Sequence, residues 1–217
     1  MKWVKLFLGV LLLPVCAGAA SALWRVVRAS GAADTTWVAL AAGGGCWLAI
    51  YLLLPKPMWV YVFGHELTHA VWTWLMGGRV KKFKASANGG HVIVTRNNFL
   101  IALAPYFFPI YSVALAVLFV AGNRFWNWQL FLPWFHLLLG ASYAFHLTLT
   151  WHILKSSQTD ITEQGYLFSA VIIFLGNAVV LLLAIPLLAS QVSVPVALRW
   201  WYEGTVQVVR QITVLAS

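Results

Sequence analysis

Long apolar segments follow one another along the chain and are separated by short polar stretches. A helix needs about 20 mainly apolar residues to cross the hydrocarbon core of a bilayer. Six segments approach or reach that length, namely residues 3–23, 37–54, 58–76, 99–121, 130–154 and 166–190. The pattern predicts an all-α polytopic membrane protein, with about six transmembrane helices in a single membrane domain over residues 1–217.

The first apolar segment has two interpretations. Lys2 and Lys5, an apolar run over 6–15 and small residues over 17–22 resemble a signal peptide. The same residues also suit an uncleaved first helix, and both interpretations stay open.

A run of glycines, Gly43, Gly44 and Gly45, lies inside the second segment. Because glycine has no side chain, such a run either bends a helix or lets a neighbouring helix approach closely.

The stretch from Arg79 to Arg96 has a different pattern. Strand-like runs over 80–85 and 91–95 flank Asn88, Gly89 and Gly90, which predicts a short β-hairpin. Such a hairpin must lie at the membrane interface or line a cavity, because lipid does not tolerate exposed strand edges. Its basic side chains favour a cytoplasmic location; they are Arg79, Lys81, Lys82, Lys84 and Arg96.

The C-terminal tail, residues 195–217, is amphipathic if it is helical. Leu198, Trp201, Val208, Ile212 and Leu215 recur at helical intervals. Two interpretations stay open, a helix that lies in the membrane interface and a seventh element that packs on the bundle.

Composition narrows the class of protein. Apolar residues make up 62% of the chain and charged residues only 9%, whereas soluble domains carry about a quarter charged residues. This excludes an ordinary cytosolic globular protein and a disordered chain. The net charge of +9 reflects scarce acids and scattered basic residues, so it does not indicate a nucleic-acid partner.

The third segment contains the sequence Gly-His-Glu-Leu-Thr-His-Ala over residues 64–70. On a helix, His65 and His69 share one face and can bind one metal ion, while Glu66 can act as a general base. The alternative is that these polar side chains only satisfy one another. Ionisable residues inside membranes are costly and usually functional, which favours a zinc site.

A catalytic zinc needs a third protein ligand. Of the five acidic residues, Asp34 and Glu203 are poorly placed in a connection and in the tail. The remaining candidates precede or lie on the last two long segments, and they are Asp160, Glu163, His136, His146 and His152.

These motifs resemble the site-2 protease family of intramembrane zinc metalloproteases, in its compact form without a PDZ domain. The stretch 64–70 is similar to the zinc-binding helix of that family, and residues 88–92 are similar to its membrane-associated hairpin. Ala104 and Pro105 lie where the family usually has Gly-Pro. The resemblance covers residues 58–190, which would form the catalytic core.

In the family, the third ligand is an Asp in a Leu-Asp-Gly motif, and an Asn precedes it by eight residues. Asp160 matches the ligand position, although its neighbours here are Thr159 and Ile161. His152 occupies the position of the Asn and is a possible oxyanion donor. The resemblance therefore implies one Zn²⁺ per chain, held by His65, His69 and Asp160, with Glu163 as the alternative third ligand.

The resemblance also implies the reaction and its setting. Zinc-bound water would attack a peptide bond in or near the transmembrane segment of a membrane-anchored substrate, with Glu66 as general base. An edge of the hairpin could bind the substrate as an added strand. We expect the chain to lie in a lipid bilayer, the inner membrane of a bacterial cell, with the hairpin facing the cytoplasm.

Three other functions fit parts of the pattern. A haem-binding electron carrier could use His69 and His146, but it leaves Glu66 without a role. A catalytically silent scaffold of the same fold would have no need to keep Glu66. A membrane protease acting on prenylated proteins would use Glu163 as its third ligand instead of Asp160.

Overall fold

A computed structural model describes residues 2–31, 35–87, 89–189 and 191–216. Asp34, Asn88 at the predicted turn and Ser190 at the predicted end of the last long segment lie outside the described residues. The chain divides into two compact units. The central unit is Ala33–Gln158, and the terminal unit combines Met1–Ala32 with Thr159–Ser217.

Helices dominate both units. In chain order the elements are α1 (Lys2–Leu11), α2 (Leu13–Ala29), α3 (Thr35–Leu53), α4 (Met58–Leu75), β1 (Val80–Ser86), β2 (Gly89–Val94), α5 (Phe99–Phe107), α6 (Ile110–Trp126), a 3-10 turn (Trp128–Phe131), α7 (Leu132–Ile153), α8 (Thr159–Gln164), α9 (Tyr166–Leu188) and α10 (Val194–Ala216). This confirms the predicted all-α polytopic class with one small antiparallel hairpin.

Within the described residues, three helices are long and apolar enough to cross a membrane, and up to five if each bent pair counts as one span. The three are Thr35–Leu53, Trp128–Ile153 and Tyr166–Leu188. The predicted third segment forms α4 but is not among them. Its polar side chains lower its mean hydropathy, and they include His65, Glu66, Thr68, His69 and Thr73.

Two predicted spans are bent pairs of helices. α1 and α2 meet at 41°, and α5 and α6 meet at 75°. The second break lies at Phe108 and Pro109, where Phe108 is extended. A residue before proline avoids the helical region, which explains why residues 99–121 do not form one continuous helix.

In the central unit, α3 packs closely on α7 through two glycines. A Cβ on Gly43 would collide with the backbone carbonyl of Leu137, and one on Gly140 would collide with that of Leu40. Trp47 on α3 also donates a hydrogen bond to Thr148 Oγ1 on α7 at 2.7 Å. The glycine run thus allows close packing, and α3 is a single helix.

The hairpin has the predicted antiparallel arrangement. Lys84 pairs with His91 and Ala85 with Gly90, and an irregularity interrupts the register between Val80 and Lys82. Gly89 has a φ of +131°, a conformation that suits glycine.

In the terminal unit, α10 packs along α2 and α9. Trp201 Nε1 donates a hydrogen bond to the carbonyl of Val15 at 3.0 Å, and Gly18 lies directly against the backbone of Thr205. The tail is therefore a packed element over its first half. Further along, its apolar side chains are exposed, including Ile212 and Leu215.

Candidate active site

Helix α4 brings the two predicted histidine ligands together. His65 and His69 lie one turn apart, so their rings project from one face. Their ring centroids are 5.0 Å apart, and one ring nitrogen of each lies within 4.8 Å of the other. This spacing allows both side chains to bind a single metal ion.

A backbone carbonyl orients the ring of His69. His69 Nδ1 lies 2.9 Å from the carbonyl oxygen of Ile101 on α5. Because a carbonyl oxygen only accepts, this hydrogen bond requires the proton on Nδ1, so Nε2 is the ring nitrogen that could bind a metal ion. Metal-binding histidines commonly have such a partner, which fixes their tautomer and orientation.

The neighbouring sequence explains why the carbonyl of Ile101 can accept a hydrogen bond from His69. In an α-helix it would accept a hydrogen bond from the backbone N–H of the residue four positions later. That residue is Pro105, which has no N–H. Proline at this position therefore frees Ile101 to accept from His69.

Two tyrosine rings lie beside His65, which is half-buried. The ring of Tyr106 contacts it edge-on with a centroid distance of 5.3 Å, and Tyr61 lies one turn away on α4 at 5.9 Å. Tyr106 is almost completely buried. These contacts restrict the His65 ring to few orientations.

The hairpin covers Glu66. Glu66 is buried, with 8% of its surface exposed. A Cβ on Gly90 would lie 2.6 Å from Glu66 Cγ and 2.9 Å from Oε1. The hairpin backbone at Gly90 therefore lies directly on the side chain that the sequence predicts to be the general base.

A sequence model of the Peptidase M50B-like family matches residues 37–154. The chain belongs to this family. The match confirms the resemblance to site-2 proteases, and it makes the chain a membrane protein of an intramembrane metalloprotease family. It includes His65, Glu66, His69 and His152 and ends before Asp160. No curated protein and no solved structure matches the chain.

The other predicted site residues lie on different elements. His152 is half-buried near the end of α7, in the central unit. Asp160 and Glu163 lie on α8, in the terminal unit. Asp160 is half-buried and Glu163 is exposed. The roles of all three stay predictions.

The M50B-like family is one of metallopeptidases, and the donor set within the central unit fits a zinc ion. Two imidazoles on one helical face match the nitrogen ligands that zinc prefers. The orientation of His69 by Ile101 supplies the support that such ligands usually have. A buried carboxylate lies on the same helix, next to His65.

Three features of this site are not predicted by the sequence. Pro105 matches the family motif in the sequence, but its second role, leaving the carbonyl of Ile101 without a helical N–H partner, depends on the helix that forms around it. The sequence around Gly90 predicts a turn, and nothing local indicates its contact with Glu66. Nothing in the sequence indicates that His146 Nε2 has no hydrogen-bond partner among the described residues.

Proposed function

We propose that this chain is a zinc endopeptidase that hydrolyses peptide bonds in or near the transmembrane segments of membrane-anchored substrates. The observation that carries the proposal is the arrangement on α4. There, two histidines capable of sharing a metal ion flank a buried carboxylate beneath the hairpin. Membership of the Peptidase M50B-like family supports the same reaction class.

In this proposal, His65, His69 and Asp160 hold the zinc, with Glu163 as the alternative to Asp160. When bound, zinc supplies a Lewis acid that lowers the pKa of water and polarises the peptide carbonyl. Asp160 enters the set through its resemblance to the family ligand.

Glu66 carries the proton in the proposed reaction. Its carboxylate accepts a proton from the attacking water while the water oxygen bonds to the carbonyl carbon of the substrate. It then donates that proton to the amide nitrogen as the carbon–nitrogen bond breaks. His152 is the proposed hydrogen-bond donor to the oxyanion, as a second source of stabilisation.

The proposed substrate is an extended peptide. A helical segment uses its carbonyl groups in internal hydrogen bonds, so the bond to be cut must first leave the helix. The two-stranded sheet of β1 and β2 offers edges at which an extended segment can add as a strand. Gly90 would then bring the bound segment close to Glu66.

The basic residues of the hairpin support a cytoplasmic orientation of this side. We include that orientation, and a bacterial inner membrane, in the proposal. Labelling a cysteine introduced at the exposed Lys82 in sealed inverted and right-side-out vesicles tests the orientation. Labelling of the right-side-out vesicles alone would contradict it.

The decisive experiment compares wild type with Glu66→Gln in a reconstituted cleavage assay. Glutamine keeps the shape of the side chain but cannot accept the proton, so cleavage is lost while bound zinc, measured by elemental analysis, is unchanged. Full activity of Glu66→Gln would overturn the mechanism. A Soret absorption band in the purified protein would instead support the haem-binding alternative.

A further inference from the structure

A small cavity lies in the central unit, between α4, the break separating α5 from α6, and α7. Its volume is about 20 Å³. A cavity needs roughly 10–15 Å³ of such volume to hold one water molecule. The cavity therefore has room for one water, provided that its walls offer hydrogen-bond partners.

One residue that lines the cavity has a buried polar atom without a hydrogen-bond partner among the described residues. His146 on α7 lines the cavity and is only 7% exposed. Its Nε2 atom makes no hydrogen bond within the described part of the chain. Burying such a nitrogen without a partner costs stability, so an internal water is its expected partner.

Two hydroxyl groups on the other walls can also bind a water. Thr68 Oγ1 donates to the carbonyl of Gly64 at 2.8 Å, and Tyr111 OH donates to the carbonyl of Val60 at 2.5 Å. Each hydroxyl uses its proton in that bond and keeps lone pairs that can accept. Both residues line the cavity.

The same cavity reaches a predicted metal ligand, because His65 also lines it. A histidine that binds zinc through one ring nitrogen is usually oriented by a hydrogen bond at the other, often to water. For His69, the carbonyl of Ile101 has this role. A water held by His146 can have the same role for His65.

We propose that this cavity binds one structural water molecule, held by His146 Nε2, and that this water orients His65. His146 is thus a positioning residue and does not itself bind zinc. The existence of the water site is independent of the proposed protease activity. Its effect on His65 rests on the proposed zinc site.

The test measures the zinc affinity of the full chain in detergent, by competition with a chelator, without any substrate. His146→Leu removes the ring nitrogen and is expected to weaken zinc binding about 10-fold, as removal of such outer partners commonly does. His146→Gln keeps a polar atom near the position of Nε2 and is expected to retain most of the affinity.

His136→Leu is the matched control. His136 lies on the same helix, is equally buried at 7% and does not line the cavity. It lies about 15 Å from His146 along the helix, at 1.5 Å per residue. Its replacement is expected to leave zinc affinity unchanged.

His65→Ala separates failure of the inference from failure of the proposed function. If His65→Ala leaves zinc binding intact, the proposed zinc site is wrong. If His65→Ala abolishes zinc binding but His146→Leu matches wild type, only the role of His146 is overturned. An equal loss in His146→Leu and His136→Leu would also overturn it.

An experimental structure tests the water site directly, with or without zinc. Density for one water within hydrogen-bonding distance of His146 Nε2 is expected in the wild-type chain and in His136→Leu, and its absence is expected in His146→Leu. A dry cavity in a wild-type structure that resolves other internal waters would overturn the water site.

Discussion

Gly90 of the hairpin lies directly on the side chain of Glu66. A Cβ built on Gly90 would be 2.6 Å from Glu66 Cγ and 2.7 Å from the carbonyl oxygen of Lys84. Because the Lys84 oxygen belongs to the backbone, it cannot move aside as a flexible side chain could, and a Cβ at position 90 would collide with it. The hairpin therefore packs directly against the proposed general base, and the position of the Glu66 side chain depends on the hairpin.

This contact makes Gly90→Ala a test of how Glu66 is positioned. The added methyl group displaces the Glu66 side chain, and a misplacement of about 1 Å can cost on the order of 100-fold in rate. We expect a loss of kcat of that order, with bound zinc unchanged because the histidines are not touched. Single-turnover cleavage and elemental analysis measure the two quantities.

Gly89→Ala is the control for that experiment. A Cβ at Gly89 meets nothing within 4 Å, but its φ of +131° makes a side chain there strained. The variant strains the hairpin without contacting Glu66, so it should retain more activity than Gly90→Ala. Equal losses in the two variants would attribute the effect to hairpin strain alone.

Pro105→Ala tests the orientation of His69. Alanine restores the backbone N–H that proline lacks, and this N–H competes with His69 Nδ1 for the carbonyl of Ile101. We expect zinc affinity to fall by about 10-fold, although alanine favours the helix more than proline does. Chelator competition measures the zinc affinity, and thermal unfolding measures the stability of the variant.

Pro186→Ala, in the interior of α9, is the matched control, because it restores a helical N–H in the terminal unit. Its zinc affinity should equal that of wild type. If the zinc affinity of Pro105→Ala also equals that of wild type, the carbonyl of Ile101 has no role in orienting His69.

The sequence predicts some of these features and not others, depending on the range of the interactions. The helical spacing of His65 and His69 is local and can be read directly. The break at Phe108 and Pro109 is local too, but the apolar pattern of residues 99–121 is continuous across it and predicts a single segment. The contact of Gly90 with Glu66 joins residues from separate elements, so no local pattern encodes it.

The close packing of α3 on α7 predicts a stability difference among glycines of one run. Gly43→Ala inserts a methyl group against the backbone of Leu137, and such overpacking typically costs about 1–3 kcal/mol. Gly45→Ala meets nothing within 4 Å and should be neutral or stabilising, because alanine favours a helix by about 1 kcal/mol. Thermal unfolding in detergent measures both, and similar melting temperatures would contradict close packing at Gly43.

The third zinc ligand is tested by zinc content. Asp160→Ala should lower bound zinc below one ion per chain, because only His65 and His69 remain. Glu163→Ala should leave zinc unchanged, since Glu163 is exposed on α8. The opposite result would assign the ligand to Glu163, and stoichiometric zinc in both variants would exclude both residues as ligands.

In the terminal unit, Glu203 of α10 forms ion pairs with Arg199 of the same helix and Arg25 of α2. Glu203 accepts hydrogen bonds from Arg199 at 2.7 Å and Arg25 at 3.4 Å, and mainly the bond from Arg199 lowers the pKa of its carboxyl. A lowered pKa in the folded state means that the stabilisation is present above the unfolded pKa and is lost as pH falls through the folded value. Glu203→Gln should therefore melt slightly below wild type at neutral pH, by an amount limited by solvent screening. The two melting curves should converge in acid, and a difference that stays constant with pH would contradict an ionic contribution.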